Sequence, residues 1–442
     1  MDPEVRQEMA ELLRDRVLHP SEVAEMLSEE PPAEAAEFLA GLDEGLAADV
    51  VEHLDTAVRR ELAELMPRGH MAKVIERMAP DERADFVKEL PLETAESILP
   101  LIARAERLDI ARLASYEEGT VGSVMTTAYT MAGADRTVAE AIEDLRRQAA
   151  GDDVGDNVYV VDADRRLLGY VTLRGLLLAR PQAPVGRIMR SDATTVRATE
   201  DRERLADIFS RYLLTTVPVV DDEGRLLGRV TADDVIDIAE EEAGEDVYRF
   251  GAAGEPIDYL RSGVLRVARQ RITWLLILVV LGLLSSLLLQ SYEGEIQAAV
   301  VLVFFLPMLS GSAGNAGSQT TATIIRGLSM GEIGGRDALR VVLRELRIGL
   351  IVGAALGAFA LGRALLVPAS DAASPWRLGI TVGLAMVGAV TLAKTLGGLL
   401  PIVFKRLKLD PALMSTPFIT SIVDVFTIVV YFRLANVVYL AG

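Results

Sequence analysis

One carboxylate in this 442-residue chain stands where water should be scarce. Asp424 sits within "TPFITSIVDVFTIVVYF" (416–432), flanked on both sides by apolar and β-branched residues. A charge near the middle of a bilayer-spanning helix costs roughly 2.5–3.5 kcal/mol on insertion scales, so such a residue reads first as functional and second as a buried packing partner. The chain has no cysteine, and its three histidines, His19, His53 and His70, all lie in the N-terminal region. Disulfides and thiolate metal sites are excluded and a zinc enzyme is disfavoured. Any metal handled here is a hard ion met by oxygen.

The elements that would position Asp424 are long apolar runs, and these occur only after residue 271. Spans are expected at about 272–291, 297–325, 341–367, 377–404 and 413–440, each near or above the ~20 residues needed to cross a bilayer. Pro307 and Pro401 interrupt the second and fourth. Arg261, Arg266, Arg269 and Arg271 precede the first span. Arg326, Arg336, Arg340, Arg344 and Arg347 lie between the second and third, and Lys405, Arg406 and Lys408 between the fourth and fifth. The other connections, "SYEGE" and "PASDAASPWR", are poor in bases. The positive-inside rule then places the N-terminal half in the cytoplasm and the C-terminus outside a cell inner membrane. The polar start "MDPEVRQEMA" carries no cleavable signal, which agrees. Five spans enclose a pore poorly alone. The small residues of "GLIVGAALGAFALG" and "TVGLAMVGAV" permit close helix packing, so a homodimer with its axis along the pore is expected.

Charge divides the chain. Residues 1–250 hold 54 of the 64 Asp and Glu and 29 of the 45 Lys and Arg, a net −25, whereas the remainder carry +6. An acidic half lacks the basic face that nucleic-acid binding requires. Its first ~115 residues read as short helices joined at Pro-containing turns, as in "MAPDERADFVKELPLETAESILPLI", which suggests an α-helical superhelix. Asp81 follows Pro80 at a helix start, and Asp85 lies one turn on along the same face. A helix cap and a solvated face would explain both.

Two later segments repeat one another: "VGSVMTT…VYVVDADRRLLGYVTLRGLL" (121–177) and "VGRIMRS…VPVVDDEGRLLGRVTADDVID" (185–238). Each alternates strands with amphipathic helices, the mark of an α/β module. The pattern resembles a tandem pair of CBS domains, which are regulatory and often sense nucleotides or ions. The stretch "EEEAGEDVYRFGAAGEPIDYLRSGVLRVARQRITW" would then connect this pair to the first span as a long helix after the Gly/Pro break.

An acidic helical domain, a CBS pair, a connecting helix and five spans together resemble the MgtE family of magnesium channels along the whole chain. "LPMLSGSAGNAGSQTTATIIRGL" (306–328) is similar to the family's G-G-N-x-G-x-Q signature, with Ala313 in place of the first glycine, and "LDPALMSTPFITSIVDVFTIVVYF" (409–432) to its fourth-loop and fifth-span signature. The architecture expected is multidomain: an α-helical N domain (1–117), an α/β CBS pair (118–180 and 181–246), a connecting plug helix (247–270) and a five-helix transmembrane domain (271–442). The resemblance implies that Asp424 holds hydrated Mg²⁺ at the pore centre and tilts Asp410 toward an ion at the cytoplasmic mouth, the other reading being a cap on the fifth span. Asn315, Gly317 and Gln319 line the pore or pack helices. Sensing sites for cytosolic Mg²⁺ are implied at Asp49, Asp81 and Asp85 on the helical domain, and at Asp221, Asp234, Asp237, Glu242, Glu245 and Asp246 on and beyond the second CBS unit. Mg²⁺ binding there would close the pore. Other divalent cations are candidate cargo alongside Mg²⁺.

Three residues besides Ala313 depart from the family pattern. Lys394 lies inside the fourth span, where it either opposes cations in the pore or is held aside by snorkelling or a partner. Thr427 takes the place of a Gly, and Gly175 the place of an Asp that many CBS units use for ribose, which argues against ATP binding although Arg174 remains. An ion-coupled divalent-cation transporter or exporter is the alternative, weakened by the lack of an evident duplication among five spans. No nucleophile–base pair or phosphate-binding glycine loop points to an enzyme.

Overall fold

The computed structural model describes residues 3–148, 155–257, 259, 262–366 and 374–440. Arg261 and most of the "PASDAASPWR" connection lie outside the described residues. The chain divides into two compact units, Met1–Glu240 and Glu241–Gly442.

The first unit begins with short helices whose starts the sequence dictates. Pro20, Pro32 and Pro80 each open a helix, at the position where a missing N–H costs nothing. Asp43 caps Glu44–Glu52 by accepting from the Gly45 N–H at 3.2 Å. Each helix turns one apolar face inward, and Val23, Leu39, Val50, Leu62, Ile75, Phe86 and Ile98 form one continuous core. Helices pack on their next-but-one neighbours, Glu44–Glu52 on Arg68–Arg77 and Pro80–Glu89 on Arg104–Leu113, the packing of a superhelix.

The repeat folds as two three-stranded sheets. β1 (Thr130–Gly133), β2 (Asn157–Val161) and β3 (Leu167–Thr172) form one, and β4 (Val196–Arg197), β5 (Thr216–Val220) and β6 (Leu226–Thr231) the other. In both, a parallel pair is followed by an antiparallel one, with a register shift at the matching place, Val160/Val161 and Val219/Val220. Both hairpins turn on an aspartate. Asp162 Oδ1 accepts from the Asp164 and Arg166 N–H groups, and Asp221 Oδ1 from those of Glu223 and Arg225. The helical region shares a core with the second sheet, in which Ala84 and Leu113 pack with Met125, Leu205, Val217 and Val230.

Among the described residues the second unit holds five helices long and apolar enough to cross a membrane: Val264–Gln290, Val300–Ser329, Gly335–Leu366, Pro375–Arg406 and Thr416–Leu440. They match the expected spans, with two corrections from proline. Pro307 does not break a helix but opens Leu306–Ser329, after a 3-10 segment at Val300–Phe305. Pro401 lies inside a helix that continues to Arg406. The third and fourth spans meet backbone to backbone: a Cβ on Gly357 would lie 2.6 Å from the Gly383 carbonyl oxygen, so only glycine fits.

A single connecting helix over 247–270 does not form. Ala232–Phe250 extends the closing helix of the second CBS unit, and the first span begins at Val264. Between them Ala252 and Gly254 take left-handed backbone (φ 53° and 93°), which helix geometry excludes, and Pro256 follows.

Candidate functional site

The membrane half places Asp424 on the fifth span, half-buried, where its Oδ1 accepts a hydrogen bond from the Ser310 hydroxyl of the second span. Among the described residues no cation pairs with it. The approach is close because the second span is thin there. A Cβ on Gly314 would strike Thr420 Cγ2 at 2.8 Å, and one on Gly317 would meet Ile419 Cγ2 at 3.1 Å. Gly317 is thus a packing residue. Asn315 and Gln319 lie on the exposed face of the same helix with Gly311 and Thr323, an uncharged polar stripe left open among the described residues of the second unit. Exposed amides in a span need water or a second chain beside them. Ser310 carried no sequence signal beyond its place in a Gly/Ser-rich helix; its geometry identifies it.

Lys394 is neither in the open nor snorkelling. It is buried (7% exposed), its Nζ donates to Thr320 Oγ1 at 3.1 Å, and it lies 3.9 Å from Glu345 Oε2 of the third span. Thr427 is also buried, with its hydroxyl unpaired among the described residues.

Asp410 does not cap the fifth span. A 3-10 turn, Pro411–Leu413, separates it from that helix, whose N-cap is Ser415. Instead Arg249, near the end of Ala232–Phe250, forms ion pairs with both Asp410 and Glu245. Asp246 joins this cluster: burial, and then the charge of Asp410, raises its pKa. Glu242 adds to the same field. Arg249 carried no sequence signal for Asp410, which is 161 residues away; packing alone pairs them.

In the first unit, the helical region and the second CBS unit enclose a second acidic group. Asp81 is buried, with Oδ1 lacking a hydrogen-bond partner among the described residues. Asp234 accepts from the Thr231 N–H at 3.2 Å and from its hydroxyl. Both pKa values are raised, chiefly by burial, and the charge of Asp81 raises Asp234 further. Asp85 and Glu82 add to the field at Asp81, while Asp85 also pairs with Lys88 at 2.8 Å. Glu82 is itself raised by burial, against the pull of Arg59. Burial pushes Glu52 up to about 7, with Glu82, Asp49 and Asp81 adding to the shift. Asp237 is raised by burial and by Glu240 and Asp233, with His53 opposing. Asp49, Asp81, Asp85, Asp234 and Asp237 therefore occupy one acidic seam, joined by Glu52 and Glu82, which sequence reasoning did not single out. Asp221 serves its hairpin turn instead. No three of the described Asp, Glu or His side chains converge as a direct ligand set for a metal. Pairs of carboxylates facing each other suit an ion that keeps part of its water shell.

Comparisons with known proteins agree with this arrangement. Residues 306–434 match the MgtE divalent cation transporter family, 18–119 the MgtE intracellular N domain, and 121–181 and 185–241 the CBS domain. The magnesium transporter MgtE of Thermus thermophilus is 32% identical over 95% of this chain and 93% of its own. That of Bacillus subtilis is 28% identical over 95% and 92%. A solved structure of the cytosolic domain of the Mg²⁺ channel MgtE in complex with ATP is 31% identical, covers 52% of this chain and 94% of its own, and superposes with a TM-score of 0.50. Full-length similarity, the CBS pair and five spans, the fifth carrying Asp424, lead to one conclusion: the chain belongs to the MgtE family of magnesium transporters.

Proposed function

We propose that the protein is a homodimeric channel that admits Mg²⁺ through the cell membrane and closes when cytosolic Mg²⁺ rises. The observation that carries this reading is Asp424, a span carboxylate held by one hydroxyl, Ser310, with no cation beside it among the described residues. Mg²⁺ gives up its waters reluctantly, so a selective site recognises the hydrated ion. Two Asp424 carboxylates beside a two-fold axis offer a net −2 field to those waters, and the amides of Asn315 and Gln319 offer neutral acceptors along the same path. Contacts through water bind weakly enough for the ion to leave, as conduction requires. The basic span ends and connections, with Arg326 and Arg336 at one and Lys405 and Lys408 at the other, face the cytoplasm, and the C-terminus lies outside.

Gating follows from the acidic seam. Carboxylates whose pKa values are raised by burial and by one another hold the compact arrangement under strain when ionised. A divalent cation at Asp81 and Asp234 relieves that strain and shifts the population toward the compact, closed state. Asp49, Asp85 and Asp237 extend the seam; Glu242, Asp246 and Asp410 form a second group around Arg249. The CBS pair is the regulatory module. A Gly175 without a carboxylate leaves its first unit poorly equipped for a nucleotide ribose.

Mg²⁺ uptake into proteoliposomes tests the reading, with wild type and Asp424→Ala compared while cytoplasmic-side Mg²⁺ is varied. Uptake that needs Asp424 and falls as cytoplasmic Mg²⁺ rises supports it. Uptake indifferent to both, or strictly coupled to a proton or sodium gradient, overturns it.

A further inference from the structure

The fourth span of a cation-conducting bundle carries a lysine, and the structure shows what keeps it harmless. Thr320 Oγ1 donates to Glu345 Oε2 at 2.9 Å and accepts from Lys394 Nζ at 3.1 Å, while Lys394 and Glu345 lie 3.9 Å apart. Three residues from the second, third and fourth spans thus close one network with all three side chains largely withdrawn from solvent: Thr320 is 3% exposed and the Glu345 side chain 12%. Next to it, the Thr321 hydroxyl donates to the Gly397 carbonyl at 3.2 Å, and the Glu345 stem packs over Gly398.

The network sits behind the polar stripe. On a helix, Thr320 lies about 100° around from Gln319 and about 140° from Asn315. The stripe is exposed, whereas Thr320 and Thr321 are buried against the third and fourth spans. Replacing a buried ion pair by apolar residues is often neutral or stabilising, so its presence is weak evidence for stability and better explained by fixing an arrangement. The second span needs such fixing. Toward the fifth span it presents Gly314 and Gly317, which give close contact but no side chain, so that its polar links there are the small hydroxyls of Ser310 to Asp424 and of Ser318 to the Thr416 carbonyl.

We propose that Glu345 is a positioning residue for ion conduction: through Thr320 it holds the Lys394 ammonium behind the second span and off the ion path. This deepens the channel reading and rests on it. Without the carboxylate, an uncompensated cation would remain inside the bundle one helix thickness from the stripe, where weak screening lets it repel Mg²⁺ and draws Thr320 out of register.

The test measures Mg²⁺ uptake per reconstituted dimer, with thermal unfolding in detergent, for Glu345→Gln, Lys394→Met and the double variant, and for Asp424→Asn as a control. The expected result is a tenfold or greater loss in Glu345→Gln, with the double variant within threefold of wild type because no unpaired charge is left. A packing role alone would lower the melting temperature in the double variant at least as much as in the single, with no recovery of uptake. Wild-type uptake by folded Glu345→Gln overturns the proposal, as does a loss that the double variant does not rescue. Should Glu345→Gln fail to fold, Glu345→Asp, which keeps the charge but withdraws it from Lys394, is expected to lose uptake partially, and the same rescue by Lys394→Met decides. Asp424→Asn separates the two levels. Its wild-type uptake would refute the channel reading, whereas its loss together with an inert Glu345→Gln would refute only the role of Glu345.

Discussion

Glu52→Gln isolates the strain stored in the acidic seam. The substitution keeps the shape and the acceptor that the Ala79 N–H reaches at 2.8 Å, and removes only the charge. Burial first, and then Glu82, Asp49 and Asp81, push the Glu52 pKa from 4.5 to about 7. A carboxyl group whose folded pKa is raised costs nothing below its unfolded value. Its cost grows as pH climbs from there toward the folded value and stays constant above it. At 1.36 kcal/mol per unit, the charged form destabilises the compact unit by about 3 kcal/mol at pH 8, and by much less at pH 5. Glu52→Gln should therefore stabilise the cytoplasmic unit at pH 8, lower the Mg²⁺ concentration needed to protect it from protease, and change little at pH 5. The assay is urea-dependent protease cleavage of the full-length protein in detergent with EDTA, at pH 5 and pH 8. The remaining seam acids keep some slope in the variant, but a smaller one than in wild type. A variant less stable at pH 8, or with an unchanged pH slope, would refute the reasoning.

Asp234→Asn should leave the cytoplasmic unit protease-protected without Mg²⁺ and flatten its Mg²⁺ response, because relief of burial and of repulsion by Asp81 outweighs the lost ligand; protection that needs more Mg²⁺ than wild type would contradict this. Arg249→Gln removes the cation shared by Glu245 and Asp410 and leaves Asp246 in a denser negative field. Channel closure in that variant should depend more steeply on cytoplasmic Mg²⁺, read as proteoliposome uptake against Mg²⁺ concentration, since a divalent ion then takes over the neutralising role. Gly357→Val forces side-chain atoms against the Gly383 carbonyl and should destabilise the bundle by about 1–3 kcal/mol, seen as a lower melting temperature in detergent.

Hydrophobic length made the five spans legible, with helix ends up to about eight residues from the expected ones where a span extends beyond its apolar stretch, and the duplicated "VVD" and "LLG-x-VT" strands made the CBS pair legible as two matching sheets. Asp424 declared itself by being charged among apolar residues. What stayed hidden depends on which side chain turns toward which neighbour. Ser310 looked like any small helix residue until the fifth span came beside it. Lys394 was visible as a charge inside the fourth span, yet only the packing of the second, third and fourth spans shows that it shares Thr320 with Glu345. Asp221 and Asp234 were equals in sequence, but one builds a turn and the other faces Asp81, a difference made by docking of the helical region. The connecting segment was expected to hold a plug helix over 247–270; left-handed backbone at Ala252 and Gly254 divides it.

The central claim is that Asp424 borders water shared by two chains rather than lipid or a sealed helix contact. Because the chain has no cysteine, Asp424→Cys carries a single thiol. Its reaction with a membrane-impermeant, positively charged thiosulfonate is the direct measurement, made on the reconstituted, folded protein with and without Mg²⁺. The account predicts rapid labelling that Mg²⁺ slows. A thiol that reacts only with lipid-soluble reagents, or not at all while the protein remains folded, would contradict it.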